Sequence, residues 1–322
     1  MRSIAALVFS ASIAFCAPAL AQFPKMPDVP GATSAPVAPP AISAEQSALQ
    51  ASIRKLNAYV ELLNRTLRAS DSLSRYQSWV NPKTGPTGRE RIIYGLYSLY
   101  DTRGEITKAT AALTEQPLMP DLDAAMKDYI AAYSALAPII NEADGYYERQ
   151  DYKVDKMAEG KAIHKRLVEA AGPYLRERAR VDELFAREKK QADLLQLAAI
   201  EKAEGRKARW HVRNVMNNAR DIVDLIPDGK KPVVDMKIFD VSMATYAAAV
   251  KEMDTYAAAN PNSFFVFESQ PRSLLGKLRE FRDKLARAKG DIRKARGSDL
   301  TWIVNDYNMM ISSSQSATQF NK

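Results

Sequence analysis

LQASIRKLNAYVELLNRTL, residues 49–67, decides the fold class. Leu49, Ile53, Leu56, Val60, Leu63 and Leu67 recur at alternating steps of four and three. That spacing keeps them on one stripe of a helix turning about every 3.6 residues. Ser43, with Gln46 three positions on, supplies the capping-box pattern that opens such a helix.

Working outward, the same test finds further stripes. Thr87 with Glu90 predicts the start of a second helix through Ile92, Ile93, Leu96 and Tyr100, closed by residues 116–120. A third stripe holds Leu122, Met126, Tyr129, Tyr133, Leu136 and Ile140 and turns near Asp144-Gly145. A fourth carries Met157, Leu167, Ala171 and Tyr174, with a kink expected at Gly172-Pro173. Val212 to Ile226, Phe239 to Met253, Leu274 to Ile292 and Leu300 to Met310 complete the set; only Phe264-Phe265-Val266-Phe267 looks strand-like. Narrow four-three stripes bury best between antiparallel neighbours inclined at about 20°. The expected fold is all-α, an elongated antiparallel helical bundle of long amphipathic helices forming one domain over residues 43–322.

The N-terminus speaks to location. Arg2, the apolar run from Ile4 to Phe15 and Ala19-Leu20-Ala21 make a secretory signal peptide over residues 1–21. Cleavage between Ala21 and Gln22 would leave the protein periplasmic or secreted. Lipid anchoring through Cys16 is the alternative, although Phe15 is larger than the small residue that lipoprotein processing places before the cysteine. Residues 22–42, with prolines at 24, 27, 30, 36, 39 and 40, read as a disordered Pro/Ala-rich tether. No later stretch approaches the roughly 20 apolar residues of a transmembrane helix.

Residue supply then narrows the chemistry. Cys16 is the only cysteine, so a chain starting at Gln22 has no disulfide or thiol nucleophile. His164 and His211 are the only histidines, and no G-x-S-x-G elbow is present. A di-iron bundle needs two Glu-x-x-His motifs, but Lys161 and Ala208 stand three residues before the histidines. The expectation is a non-enzymatic protein with no cofactor or metal. Asp151, Asp155 and Glu159, four residues apart, offer a carboxylate face for acid–base or cation chemistry, set against the simpler role of charging a helix N-terminus.

Two contact surfaces remain. Tyrosines crowd the second and third helices and the loop beyond, and Tyr97, Tyr129, Tyr147, Asn57 and Asn308 form a candidate ligand pocket, with plain interhelical packing as the alternative. The chain carries a net charge of +8, concentrated in residues 272–296, where ten Lys and Arg face only Glu280, Asp283 and Asp291. Arg279, Arg282, Lys289, Arg293 and Arg296 are placed on one flank of that helix. They form a candidate basic surface for an anionic envelope lipid or an unknown envelope protein, with a solvated bundle face as the alternative. Nucleic acid is not an expected partner in an exported compartment.

Gly145-Tyr146-Tyr147, Asp151-Tyr152-Lys153, Asp155, Gly160, Lys161 and His164 lie between an aromatic-rich helix and an Ala/Leu-rich one. With Leu56-Asn57-Ala58-Tyr59 through Asn64 at one end and Asp306-Tyr307-Asn308 at the other, the chain resembles the YiiG-like family of exported bacterial lipoproteins, a domain of unknown function. The resemblance runs from about Ala51 to Ile311. It implies a helical fold and an envelope location, and it brings no catalytic residues. The primary reading is a non-enzymatic interaction module of unknown biochemical role; the alternative is a small-molecule-binding bundle with an aromatic inter-helix pocket.

Overall fold

A computed structural model describes residues 43–226, 233–295 and 299–319. The signal pattern, Cys16 and the tether lie outside them. Among the described residues eight α-helices follow in order: α1 Ala44–Gln77, α2 Arg103–Ala112, α3 Pro120–Glu148, α4 Ala158–Glu204, α5 Ala208–Val223, α6 Met236–Ala259, α7 Ser269–Arg287 and α8 Asp299–Gln319. No strand is present among the described residues, and the fold is an all-α helical bundle. Residues 265–267 of the strand-like run form a turn of 3-10 helix.

α1 begins as its sequence dictates. The Gln46 amide donates to the Ser43 hydroxyl at 3.1 Å, and the Gln46 side chain accepts from the Ser43 amide at 3.2 Å. Ile53, Leu56, Val60 and Leu63 of the founding stripe are buried. A fully buried aliphatic side chain of this kind contributes about 1.5–3 kcal/mol.

The buried apolar side chains fall into two clusters, one built by α1 to α4 and the other by α5 to α8. In the first, α3 and α4 form the most extensive helix pair. Asp121 meets Arg187, Asp128 meets Arg180 and Glu142 meets Arg166, so each step along α3 moves the partner back along α4 and the pair is antiparallel. α1 is antiparallel to α4 in the same sense, through Leu63 to Arg178, Thr66 to Tyr174 and Tyr76 to His164. α4 runs unbroken past Pro173, and its C-terminal turns reach α5. In the second cluster Asp240–Arg282 and Asp254–Arg272 set α6 antiparallel to α7.

Two buried ionic knots tie these layers. Lys55 of α1 has a side chain with no solvent exposure. Its ammonium donates to Asp123 at 2.7 Å and to the carbonyls of Glu115 and Pro117 at 3.0 and 3.3 Å. Asp123 also accepts from the Tyr59 hydroxyl at 2.6 Å and the Met119 amide at 2.9 Å. The second knot lies where α4 meets α5: buried Asp193 accepts from Lys189, Arg213 and Arg220. Burial alone would raise the Asp193 carboxyl; the three cations outweigh it and hold the group below its ordinary value. Burial, reinforced by the two guanidiniums against the pull of Asp193, brings the Lys189 amine down to about 8.

Three expected helices end or begin elsewhere. The chain from Pro86 to Asp101 is not helical, and helix resumes only at Arg103. Gly88 and Gly95 sit at φ +80° and +65°, outside the helical region. The Glu90 carboxylate accepts from the Thr87 amide and hydroxyl and from the Gly88 amide, so the apparent capping box closes a loop. α3 continues through Asp144-Gly145 to Glu148. α7 stops at Arg287: the Gly290 amide donates to the Leu285 carbonyl and the Lys289 amide to that of Ala286, with Lys289 at φ +51°, a Schellman ending.

Candidate functional site

In place of the expected second helix, residues 94–101 form an extended strap laid antiparallel along α1. Arg65, Arg68, Ser72 and Arg75 occupy one face of α1 at i, i+3, i+7 and i+10. Each donates a side-chain hydrogen bond to a strap carbonyl: Arg75 to Tyr94, Ser72 to Tyr97, Arg68 to Ser98 and Arg65 to Asp101. The Trp79 indole adds one to the Gly95 carbonyl at 3.0 Å. Side chains of α1 thereby supply what helical or sheet pairing would otherwise give these carbonyls.

The strap's tyrosines interleave with those guanidiniums. Arg75 lies 6.0 Å from the Tyr94 ring centre and 4.4 Å from that of Tyr97. Arg68 lies 4.1 Å from Tyr97 and 5.7 Å from Tyr100, and Arg65 4.5 Å from Tyr100. The result is a surface ladder of alternating cations and rings, with Tyr94 and Tyr100 about half exposed (49% and 50%). On the flanking α3, Asn141 accepts from the Leu99 amide and Asp144 feels the charges of Arg68 and Arg75.

Below the strap, aromatic residues from the end of α1, the end of α3 and the turn that follows it pack together. Tyr76, Trp79, Tyr146, Tyr147 and Tyr152 make edge and tilted contacts with ring centres 4.9–6.5 Å apart. The Tyr76 hydroxyl bonds His164 Nδ1 at 3.1 Å. A Cβ on Gly85 would come within 2.7 Å of the His164 ring, and one on Gly160 within 2.7 Å of the Met157 sulfur. The Tyr147 hydroxyl is buried near that of Tyr76 without a hydrogen bond of ordinary geometry.

The five residues of the expected pocket are not brought together. Tyr97 belongs to the surface ladder, and Tyr147 to the aromatic cluster. Tyr129 is buried between Thr66, Arg178 and Tyr174. Asn57 is half-buried on α1, and Asn308 lies on α8 in the other cluster. Asp151, Asp155 and Glu159 do not share a helix face: Asp151 opens a 3-10 turn, and Asp155 accepts from the Met157 and Glu159 amides, capping α4. In the basic group, Arg279 and Lys289 are exposed, Arg282 forms a fork with Asp240 at 2.9 and 3.1 Å, and Arg293 bonds Asp291. Because α7 ends at Arg287, the group does not lie along one helical flank; Arg296 lies outside the described residues. Sequence reading missed the ladder, although its signal was present as an arginine stripe on α1 and tyrosines at a step of three.

Both histidines are buried, and burial lowers both rings; a hydrogen bond to the Pro82 carbonyl at His164, and the Glu252 charge with a hydrogen bond to the Arg206 carbonyl at His211, oppose this without reversing it. A depressed folded value means that the unfolded chain binds more protons below about pH 6.5, so their stabilising contribution is lost as pH falls through that region. Each histidine contributes at most about 1.4 kcal/mol per pH unit. His211→Phe, placed among Trp210, Tyr256 and Phe264, is expected to flatten the fall in melting temperature between pH 6.5 and 5.5. An unchanged slope would refute the assignment.

Among the described residues, no group of three or more His, Cys, Asp or Glu is placed to hold a metal ion, and no helix is long and apolar enough to cross a membrane. The model of a family described as protein of unknown function, DUF3829, matches residues 50–316. Uncharacterized protein YiiG of Escherichia coli strain K12 is 30% identical over 264 residues, which cover 78% of this chain and 73% of that protein. No solved structure matches the chain.

Proposed function

This chain belongs to the DUF3829 family of proteins of unknown function, and from that premise we propose that it is an exported, non-enzymatic interaction module of the cell envelope that meets a protein partner through the arginine–tyrosine ladder. The observation that carries the reading is the ladder itself. Arginine and tyrosine dominate the energetic centres of protein interfaces, because each offers a large rigid surface together with directed hydrogen bonds. Here the rungs are held in place before binding: the guanidiniums are fixed by strap carbonyls and the rings are fixed by the guanidiniums. Little side-chain entropy remains to be lost on association. Export rests on the signal pattern of residues 1–21, and a mature N-terminus at Gln22 in the native host would support it, whereas an uncleaved Met1 would contradict it.

The surface reading is tested by Tyr94→Ala and Tyr100→Ala in the full chain. Both side chains are half exposed, so the fold is expected to persist. Each substitution is expected to remove about 2 kcal/mol from the complex, about thirtyfold in affinity, measured by quantitative co-purification from envelope fractions. Unchanged recovery of the same partner from both variants would overturn the reading.

A further inference from the structure

α8 carries an open groove far from the ladder in the chain. Asn305, Asn308, Met309, Ser312 and Ser316 line it from α8, and Gln270 from the first turn of α7. Six of the seven lining side chains, Ser313 included, end in an amide or a hydroxyl, while most of the surface the groove exposes is carbon, Met309 among it. The Ser313 hydroxyl bonds the Gln270 side chain at 2.5 Å and fixes the amide at the floor. Among the described residues, the Asn305 and Asn308 amides make no hydrogen bond to the protein. One turn before Asn305, Trp302 is 53% exposed; the Lys277 ammonium lies 5.5 Å from its ring centre. Lys277 is itself paired with Asp306 at 2.6 Å, so the charge at the rim is balanced.

We propose that this groove binds a neutral oligosaccharide, with Trp302 as the platform on which one sugar ring stacks. The chemistry selects the class. An ionic ligand finds no opposite charge in the lining, and a purely apolar one would match its carbon surface but leave the amides and hydroxyls at the ends of six lining side chains unused. A chain of hydroxyl groups both donates and accepts, as amides do, and the C–H faces of pyranose rings suit an exposed indole. From Trp302 to Ser316 the helix rises about 21 Å, the length of several linked sugars. The inference is independent of the ladder and survives if that surface proves idle.

Isothermal titration of the full chain with chitotetraose, maltotetraose and a heparin tetrasaccharide tests it. Saturable binding of at least one neutral probe is expected, weakened about tenfold or more by Trp302→Ala and by the pair Asn305→Ala with Asn308→Ala. Preference for chitotetraose would assign acetamido sugars, and preference for maltotetraose plain glucans. The substituted positions are exposed or half-buried on a helix that alanine favours, and circular dichroism verifies that the fold is kept. The proposal is overturned by no saturable binding of either neutral probe up to about 10 mM, by affinity unchanged in both variants, or by tighter binding of the heparin fragment.

Discussion

Asp123→Ala is expected to cost about 3–5 kcal/mol, because it leaves the Lys55 ammonium sealed in the core with two carbonyls and no counter-charge. The same change frees the Tyr59 hydroxyl and the Met119 amide, each a buried donor that must then go unpaired. Urea unfolding measures it directly. The double substitution Lys55→Met with Asp123→Leu removes both charges at similar volume and is expected to recover much of the loss. An Asp123→Ala protein within about 1 kcal/mol of the parent would show that the pair is not sealed from water.

Asp193→Ala is expected to be comparably severe, again about 3–5 kcal/mol, for a different reason. Removing the carboxylate leaves Lys189, Arg213 and Arg220 facing one another at the junction of α4 and α5. Asp193→Asn keeps the shape and some hydrogen bonding but not the charge, and most of the loss should remain. If Asn fully rescues the alanine variant, hydrogen bonding rather than charge holds the junction. The Lys189 amine, no longer beside an anion, should titrate still lower than in the parent.

The helices that were legible in the sequence are those whose stripes face a packed core. α1, α3 and the helices of the second cluster follow their four-three spacing because burial of that stripe is what stabilises them. The strap was misread for a physical reason. Tyr94, Tyr97 and Tyr100 at a step of three fit one face of a helix, yet a step of three is also the repeat of extended polyproline-like chain. The deciding partners, Arg65, Arg68 and Arg75, lie some twenty to thirty-five residues earlier, so no local window contains them. The same limit applies to the pocket expected around Tyr97, Tyr129 and Tyr147. Residue type marked these tyrosines as important, but only the fold shows that one stands on the surface, one inside a hydrogen-bonded core and one in an aromatic cluster. The carboxylates behaved likewise: Asp155 was visible as a candidate, and its work is to cap α4.

The basic C-terminal segment was legible as charge and not as geometry. The Schellman ending at Lys289-Gly290 turns the chain out of the helix before the last basic residues, and the Arg282 fork with Asp240 is an α6–α7 clasp.

Site-specific photo-crosslinking in the native host tests the central claim most directly. A photoreactive residue at position 94 or 100 reports on the ladder, and one at Val168, equally exposed on α4, serves as the control. The ladder as partner surface requires one discrete crosslinked protein from positions 94 and 100 and none from 168. No crosslink at 94 and 100, or the same products from all three positions, would contradict it.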